Sequence, residues 1–248
     1  MSKHIAWFSC GAPSAVMSRI LSKQIPDLHI VYNYVANEHE DNKRFYRECE
    51  EWIGKKFETT KSDKFKDVDD VIAKRKYIAG KNGAPCTMEL KRNVRLMYAD
   101  INDINYWGFT LEEKDRAEIY TIRNSAYINR YPLIEYGIRK QDCKAILAEA
   151  GIELPIMYKL GYEHNNCIGC VKSGSAKYWN MIRRDFPEVF QQRAKQEREY
   201  NYSFIRKDKN GIKYRVFLDE LDPLDIEHND IDISCDLSCQ LIYNNLVK

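Results

Sequence analysis

Apolar residues along this chain come in two spacings. Short runs at residues 5–8 and 28–35, rich in β-branched and aromatic side chains, end abruptly in small or polar residues and predict strands. Between them, Ala15-Val16-Met17-Ser18-Arg19-Ile20-Leu21 is apolar at helical spacing. A second helix is expected over 42–54, with Phe45, Cys49, Trp52 and Ile53 on one stripe, and a short strand over 57–60. Residues 68–78 predict a helix broken by Gly80-Lys81-Asn82-Gly83, and 87–98 another, with Leu90, Val94 and Tyr98 on one face. Further strands are expected at 105–110 and 127–133, then a helix over 141–150 closed by Gly151. Strands alternating with helices predict an α/β fold: a Rossmann-like, parallel five-stranded sheet with helices on both faces. Such sheets bind ligands beyond the carboxyl ends of their strands, which draws residues 9–14, 37–41 and 110–116 around one pocket.

Past Tyr162 the pattern changes. Cys167-Ile168-Gly169-Cys170 precedes a basic, aromatic helix over 176–184 and a charged one over 188–200. Residues 203–205 and 213–218, joined through Asp208-Lys209-Asn210-Gly211, predict a hairpin, and the acidic tail from Asp219 ends in Cys235-Asp236-Leu237-Ser238-Cys239. The expected organisation is an adenine-nucleotide-binding α/β domain over 1–165 and a cysteine-containing helical and hairpin extension over 166–248.

Composition narrows the function classes. A net charge of +2 over 248 residues supplies no global field for nucleic acid or membrane. No apolar run approaches the roughly 18–20 residues of a membrane span, and Met1-Ser2-Lys3-His4 does not open a signal peptide, so a cytoplasmic protein is expected. Eight cysteines in that compartment point to metal or redox chemistry rather than a disulfide framework.

The strand, tight loop and helix start around Ser9-Cys10-Gly11-Ala12-Pro13-Ser14 is the arrangement that holds phosphate, through loop N–H groups and the positive end of the helix dipole. Here Gly11 is expected to turn the backbone with positive φ, Pro13 suits the first helical turn, and Ser9 and Ser14 add hydroxyls. Cys10, beside a helix N-terminus, is expected to have a lowered pKa and to be a candidate reactive thiol; a small side chain filling the loop is the equal alternative. Glu38, His39 and Asp41 are candidates for ribose or Mg2+ contact. Lys91, Arg92, Arg95 and Arg116 are candidates for phosphate, the first three reading equally well as a solvated helix face. Lys172, Lys177, Arg183 and Arg184, interleaved with Tyr178 and Trp179, would be the nucleic-acid contact, which the overall charge disfavours. Cys49 and Cys143 fall on helix stripes and are expected in the core.

Taken together, these pieces resemble the phosphoadenosine-phosphosulfate (PAPS) reductase family of the PP-loop superfamily. Ser9–Ser14 resembles the family loop S-G-G-x-D-S, and Tyr106-Trp107-Gly108-Phe109 with Arg116 resembles W-x-T-G-x-R. Pro132-Leu133-Ile134-Glu135-Tyr136, Ala150-Gly151-Ile152-Glu153-Leu154-Pro155 and Leu160-Gly161-Tyr162 resemble N-P-L-I-x-W … G-I-P … G-Y. The resemblance runs over about residues 4–172. It implies an adenine nucleotide (PAPS, its 3′-dephospho form APS, or ATP) held by Ser9, Gly11, Ala12, Ser14, Glu38, Gly108 and Arg116. In the iron–sulfur members a Cys-Cys pair opens a helix and a later C-x-x-C completes a [4Fe–4S] site. Here Pro85 replaces the first cysteine, leaving Cys86, Cys167 and Cys170, a set that suits zinc as well. The family's C-terminal nucleophile, in E-C-G-x-H, corresponds to Cys235 or Cys239, without the Glu, Gly and His. The implied reaction is sulfonucleotide reduction, with a thioredoxin-type thiol releasing sulfite. An adenylating sulfurtransferase acting on tRNA or DNA, and a nucleotide-binding protein with structural zinc, are the alternatives. Cys10 and Pro13 stand where the family loop has a second Gly and an Asp, and loss of that carboxylate disfavours ATP cleavage.

Overall fold

The computed structural model describes residues 2–80 and 83–227. In chain order its elements are β1 (His4–Phe8), α1 (Ala12–Gln24), β2 (Leu28–Asn33), α2 (Asn42–Ile53), β3 (Glu58–Thr60), α3 (Val68–Arg75) and a short α4 (Pro85–Thr87). A π-helical turn (Met88–Arg92) leads into α5 (Asn93–Tyr98), β4 (Ile104–Tyr106), α6 (Lys114–Arg123), β5 (Ile128–Arg130), α7 (Pro132–Glu135), α8 (Lys140–Glu149) and α9 (Ile156–Lys159). The remainder comprises α10 (Ala176–Asp185), α11 (Pro187–Glu199), β6 (Ile205–Lys209) and β7 (Ile212–Val216). No helix among the described residues is long and apolar enough to cross a membrane.

The chain divides into two compact units: the residues up to Lys64 with Glu89–Asn165, and Phe65–Met88 with the chain from Asn166 on. The sequence reading keeps 65–88 with the first.

In the first unit β1 to β5 form one parallel sheet in the order β3-β2-β1-β4-β5, the Rossmann-like α/β architecture expected. The period of two along β1 sorts its side chains to two faces. Ala6 and Phe8 enter the core with Ala15, Val16, Met17 and Leu21 of α1, Phe45 and Cys49 of α2, and Cys143 and Leu147 of α8. Trp7 faces the other way, stacked on Trp107 at 5.9 Å and edge-on to Tyr98 of α5, while Tyr120 of α6 packs against Trp107 at 4.9 Å. Helices therefore cover both faces. Burial pushes the Cys49 thiol up, and Cys143 up to about 12, as befits small core residues.

Three local differences from the expected pattern have physical causes. The helix expected over 87–98 is interrupted by the π turn, where the Asn33 amide donates to the Leu90 carbonyl at 2.8 Å and competes with the helical ladder. β5 stops at Arg130 because Pro132 opens α7. α6 escapes the pattern because only Ala117 and Tyr120 among its ten residues are buried.

In the second unit Trp179 is fully buried, stacks on Phe204 at 4.6 Å and donates to the Ser173 carbonyl at 2.9 Å. The buried Glu197 carboxylate accepts the N–H groups of Phe204 (2.6 Å) and Leu218 (2.5 Å), tying α11 to the segments on either side of the antiparallel β6–β7 hairpin. Arg193 is 1% exposed. Its Nε donates to the Gly169 carbonyl at 3.1 Å, and its Nη1 donates to Gln196 (2.6 Å) and pairs with Asp69 of α3.

Candidate functional site

The sheet order reverses direction at β1, with β2 on one side and β4 on the other, so the carboxyl ends of β1 and β4 flank the switch point. The loop leaving β1 there is Ser9-Cys10-Gly11. The Ser9 N–H and hydroxyl both donate to Ser14 Oγ (3.1 and 3.2 Å), and Ser14 Oγ donates to the Gly11 carbonyl at 2.9 Å. The Ala15 N–H closes the first helical turn on the same carbonyl at 3.1 Å. Gly11 is the N-cap of α1 and brings no capping side chain, and the first turn holds no acidic residue. The N–H groups of Cys10, Gly11 and Ser14 make no hydrogen bond among the described residues. An uncapped, carboxylate-free helix start with unpaired amides is an anion cradle.

Gly108, in the loop after β4, packs its backbone directly on this turn. A Cβ there would stand 2.9 Å from both the N and Cα of Ser14, a contact no side chain tolerates. Its place in the site is therefore steric: it lets the β4 loop touch the start of α1.

The loop corrects two expectations. The positive φ falls on Cys10 (+54°), while Gly11 is extended at φ −101°. The Cys10 thiol is held well above its usual range, first by burial and then by the nearby Glu38 carboxylate, so it is not an activated thiolate. The helix N-terminus cannot offset the desolvation of a side chain that is 0% exposed and directed at the Asn42 carbonyl, 3.8 Å away. An L-residue in this conformation costs about 1–2 kcal/mol. We therefore expect Cys10→Gly to exceed Cys10→Ala in stability by about 1 kcal/mol, since both remove the sulfur but only alanine keeps the backbone penalty. Paired urea denaturation curves check this; equal midpoints would refute it.

Glu38 lies at the carboxyl end of β2, its side chain 5% exposed. It accepts from the Tyr32 hydroxyl (2.7 Å), the Asn42 amide (3.1 Å) and the Lys91 ammonium (3.3 Å). Burial and the Glu38 charge push Tyr32 far up, keeping it protonated. Asn42 Oδ1 in turn accepts from Asn165 Nδ2 at 2.7 Å, and the same Nδ2 donates to the Cys10 carbonyl at 2.7 Å. A buried relay thus runs from Lys91 through Glu38, Asn42 and Asn165 to the loop peptide. Asn42 and Asn165 are site residues that no local pattern marks.

The other basic candidates are engaged elsewhere. Arg116 pairs with Glu113 and lies over the Phe109 ring at 4.4 Å, and Arg95 lies over Trp107 at 5.0 Å. His39 accepts the Asp41 N–H at 3.1 Å. Asp41 is held below the usual carboxylate range, chiefly by Arg44, and accepts the Ile156 N–H at 2.9 Å. In the second unit Tyr178 and Trp179 turn inward, Arg183 donates to the Leu218 and Leu221 carbonyls, and Arg184 pairs with Asp185.

Cys86, Cys167 and Cys170 all belong to the second unit. The Cys167–Cys170 turn is rigidly framed. The Cys170 N–H donates to the Tyr178 hydroxyl at 2.8 Å, Arg193 holds the Gly169 carbonyl, and Gly169 has φ +64° with no room for a Cβ, which would meet Val189 Cγ1 at 2.5 Å. Soft thiolates suit iron–sulfur or zinc. Among the described residues, however, no three His, Cys, Asp or Glu side chains form a group that could hold a metal ion. Cys235 and Cys239, the candidate nucleophiles, lie outside the described residues.

Compared with known proteins, the chain matches no family model and no curated sequence.

Proposed function

We propose that this chain is an adenine-nucleotide-binding enzyme of the PAPS-reductase kind, holding the nucleotide's phosphate on the loop from Ser9 to Ser14 and acting in sulfonucleotide reduction. The observation that carries the binding part is the uncapped start of α1 at the switch point of the sheet, with the Cys10, Gly11 and Ser14 amides unpaired and no carboxylate in the turn. The sulfur chemistry rests on the motif resemblance and on the cysteines. Cys10 is not its nucleophile, because a fully buried thiol with a raised pKa offers little thiolate. Cys235 and Cys239 are the remaining candidates. No step is assigned to a metal centre, since the described residues do not assemble one.

The test is sulfite release from PAPS by the reduced wild-type chain with a thioredoxin-type thiol, alongside calorimetric titration with PAPS and ATP. Sulfite release that disappears in the double variant Cys235→Ala/Cys239→Ala is the expected result. Nucleotide binding without turnover would leave a binding protein and remove the reductase reading. No binding of either nucleotide would overturn the whole proposal. Iron, zinc and acid-labile sulfide counts on an anaerobic preparation decide whether the thiolates hold a cluster, about four irons per chain, or about one zinc.

A further inference from the structure

Tyr158 stands on α9, and this short helix is clamped in place: the Asp41 carboxylate takes the Ile156 N–H at 2.9 Å, and Arg44 donates to the Glu153 and Leu154 carbonyls at 3.2 and 3.3 Å. The clamp brings the Tyr158 hydroxyl over the phosphate loop. A Cβ built on Gly11 would lie 3.6 Å from that hydroxyl and 3.5 Å from Ser9 Oγ. The backbone amides of Ala12 and Asn165 act on the Tyr158 hydroxyl in the direction that lowers its pKa, against the larger effect of burial. The hydroxyl makes no hydrogen bond to an acceptor among the described residues and is left as a donor. Burial pushes its pKa up to about 12, so it carries its proton throughout the physiological range. The Lys144 ammonium, 5.4 Å from the ring centre, adds positive charge.

A second buried polar group beside the loop is also incomplete. Asn165 is 8% exposed, and both hydrogens of its amide nitrogen are used, one on the Cys10 carbonyl and one on Asn42 Oδ1. That fixes the carboxamide's orientation and leaves Asn165 Oδ1 buried with no partner. The hydroxyl without an acceptor is the group an anion completes, whereas Asn165 Oδ1 is itself an acceptor and calls for a donor that a phosphate oxygen does not bring.

We propose that Tyr158 is a ligand-contacting residue of the loop, its hydroxyl donating to an oxygen of the bound phosphate and completing the anion site opposite the Cys10 and Gly11 amides. The inference rests on the phosphate reading of that loop and adds its side-chain donor. It makes the site selective for a phosphate monoester over the corresponding neutral nucleoside.

The test is calorimetric titration of the full chain, wild type and Tyr158→Phe, with adenosine 5′-phosphate and with adenosine. A hydrogen bond to a charged group implies an affinity loss of about 10- to 100-fold for the nucleotide in Y158F, with adenosine binding unchanged. Equal affinities of the two proteins for the nucleotide would overturn the role of Tyr158 and leave the phosphate loop standing. Wild-type protein that binds the nucleotide no better than adenosine would overturn the phosphate reading itself. Incorporating 3-fluorotyrosine at position 158 probes the contact without removing it. This more acidic phenol of nearly the same size should tighten nucleotide binding and leave adenosine alone, and an unchanged nucleotide affinity would count against the proposal.

Discussion

Arg193→Ala should lower the unfolding free energy by about 3–5 kcal/mol, the range for breaking a buried ion pair from one side. The guanidinium is 1% exposed and serves Asp69, Gln196 and the Gly169 carbonyl together. Removing it leaves a carboxylate and a backbone carbonyl short of donors and opens a cavity where the long stem packed. Arg193→Lys should recover little, since a single ammonium cannot reproduce the fork that addresses a carbonyl and a carboxylate at once. Urea unfolding of wild type and both variants measures this. A loss below about 1 kcal/mol in the alanine variant would mean that the pair contributes no more than a surface one.

The stability of the second unit should fall as pH rises from about 4.5 to 7, by roughly 3 kcal/mol, and Glu197→Gln should remove that slope. Burial raises the Glu197 carboxyl to about 7, more than the Phe204 and Leu218 N–H groups lower it. The sign follows from proton counts. Between the ordinary glutamate value and about 7 the folded chain holds a proton that the unfolded chain has released, so raising the pH favours unfolding. Below that window both states are protonated and the full stability is present; above it both are ionised and the loss is complete. The neighbouring Asp219 charge adds to the rise and Arg198 opposes it. Chemical denaturation at half-unit pH steps, followed by the fluorescence of the buried Trp179, reads the slope. A wild-type profile that is flat across the window, or a slope that persists in E197Q, would sink this account.

Other features were legible from the chain because they depend on neighbours in sequence. The short apolar runs at residues 5–8 and 28–35, and the helical spacing between them, select a parallel sheet and place the Ser9–Ser14 turn at a strand end. Pro13 in the first turn and the hydroxyls of Ser9 and Ser14 are equally local. Polar residues that must be buried in pairs are not local. Asn165 meets the Cys10 carbonyl across 155 positions, and Arg193 reaches Asp69 across 124. Neither partner leaves a periodic trace, because one buried polar side chain looks in sequence like any surface one.

Two side chains had their chemistry reversed by the folded environment. Cys10 reads locally as a thiol at a helix N-terminus, but burial in the core that also holds Phe8 and Phe45, and then the charge of Glu38, raise its pKa. Arg116 reads as a free cation, but Glu113 sits one turn away on the same face and takes it. Strand and helix follow from the order of apolar residues, which any window of the chain contains. Whether a thiol is reactive or a tyrosine has an acceptor follows from desolvation and from residues that meet only once the chain has folded.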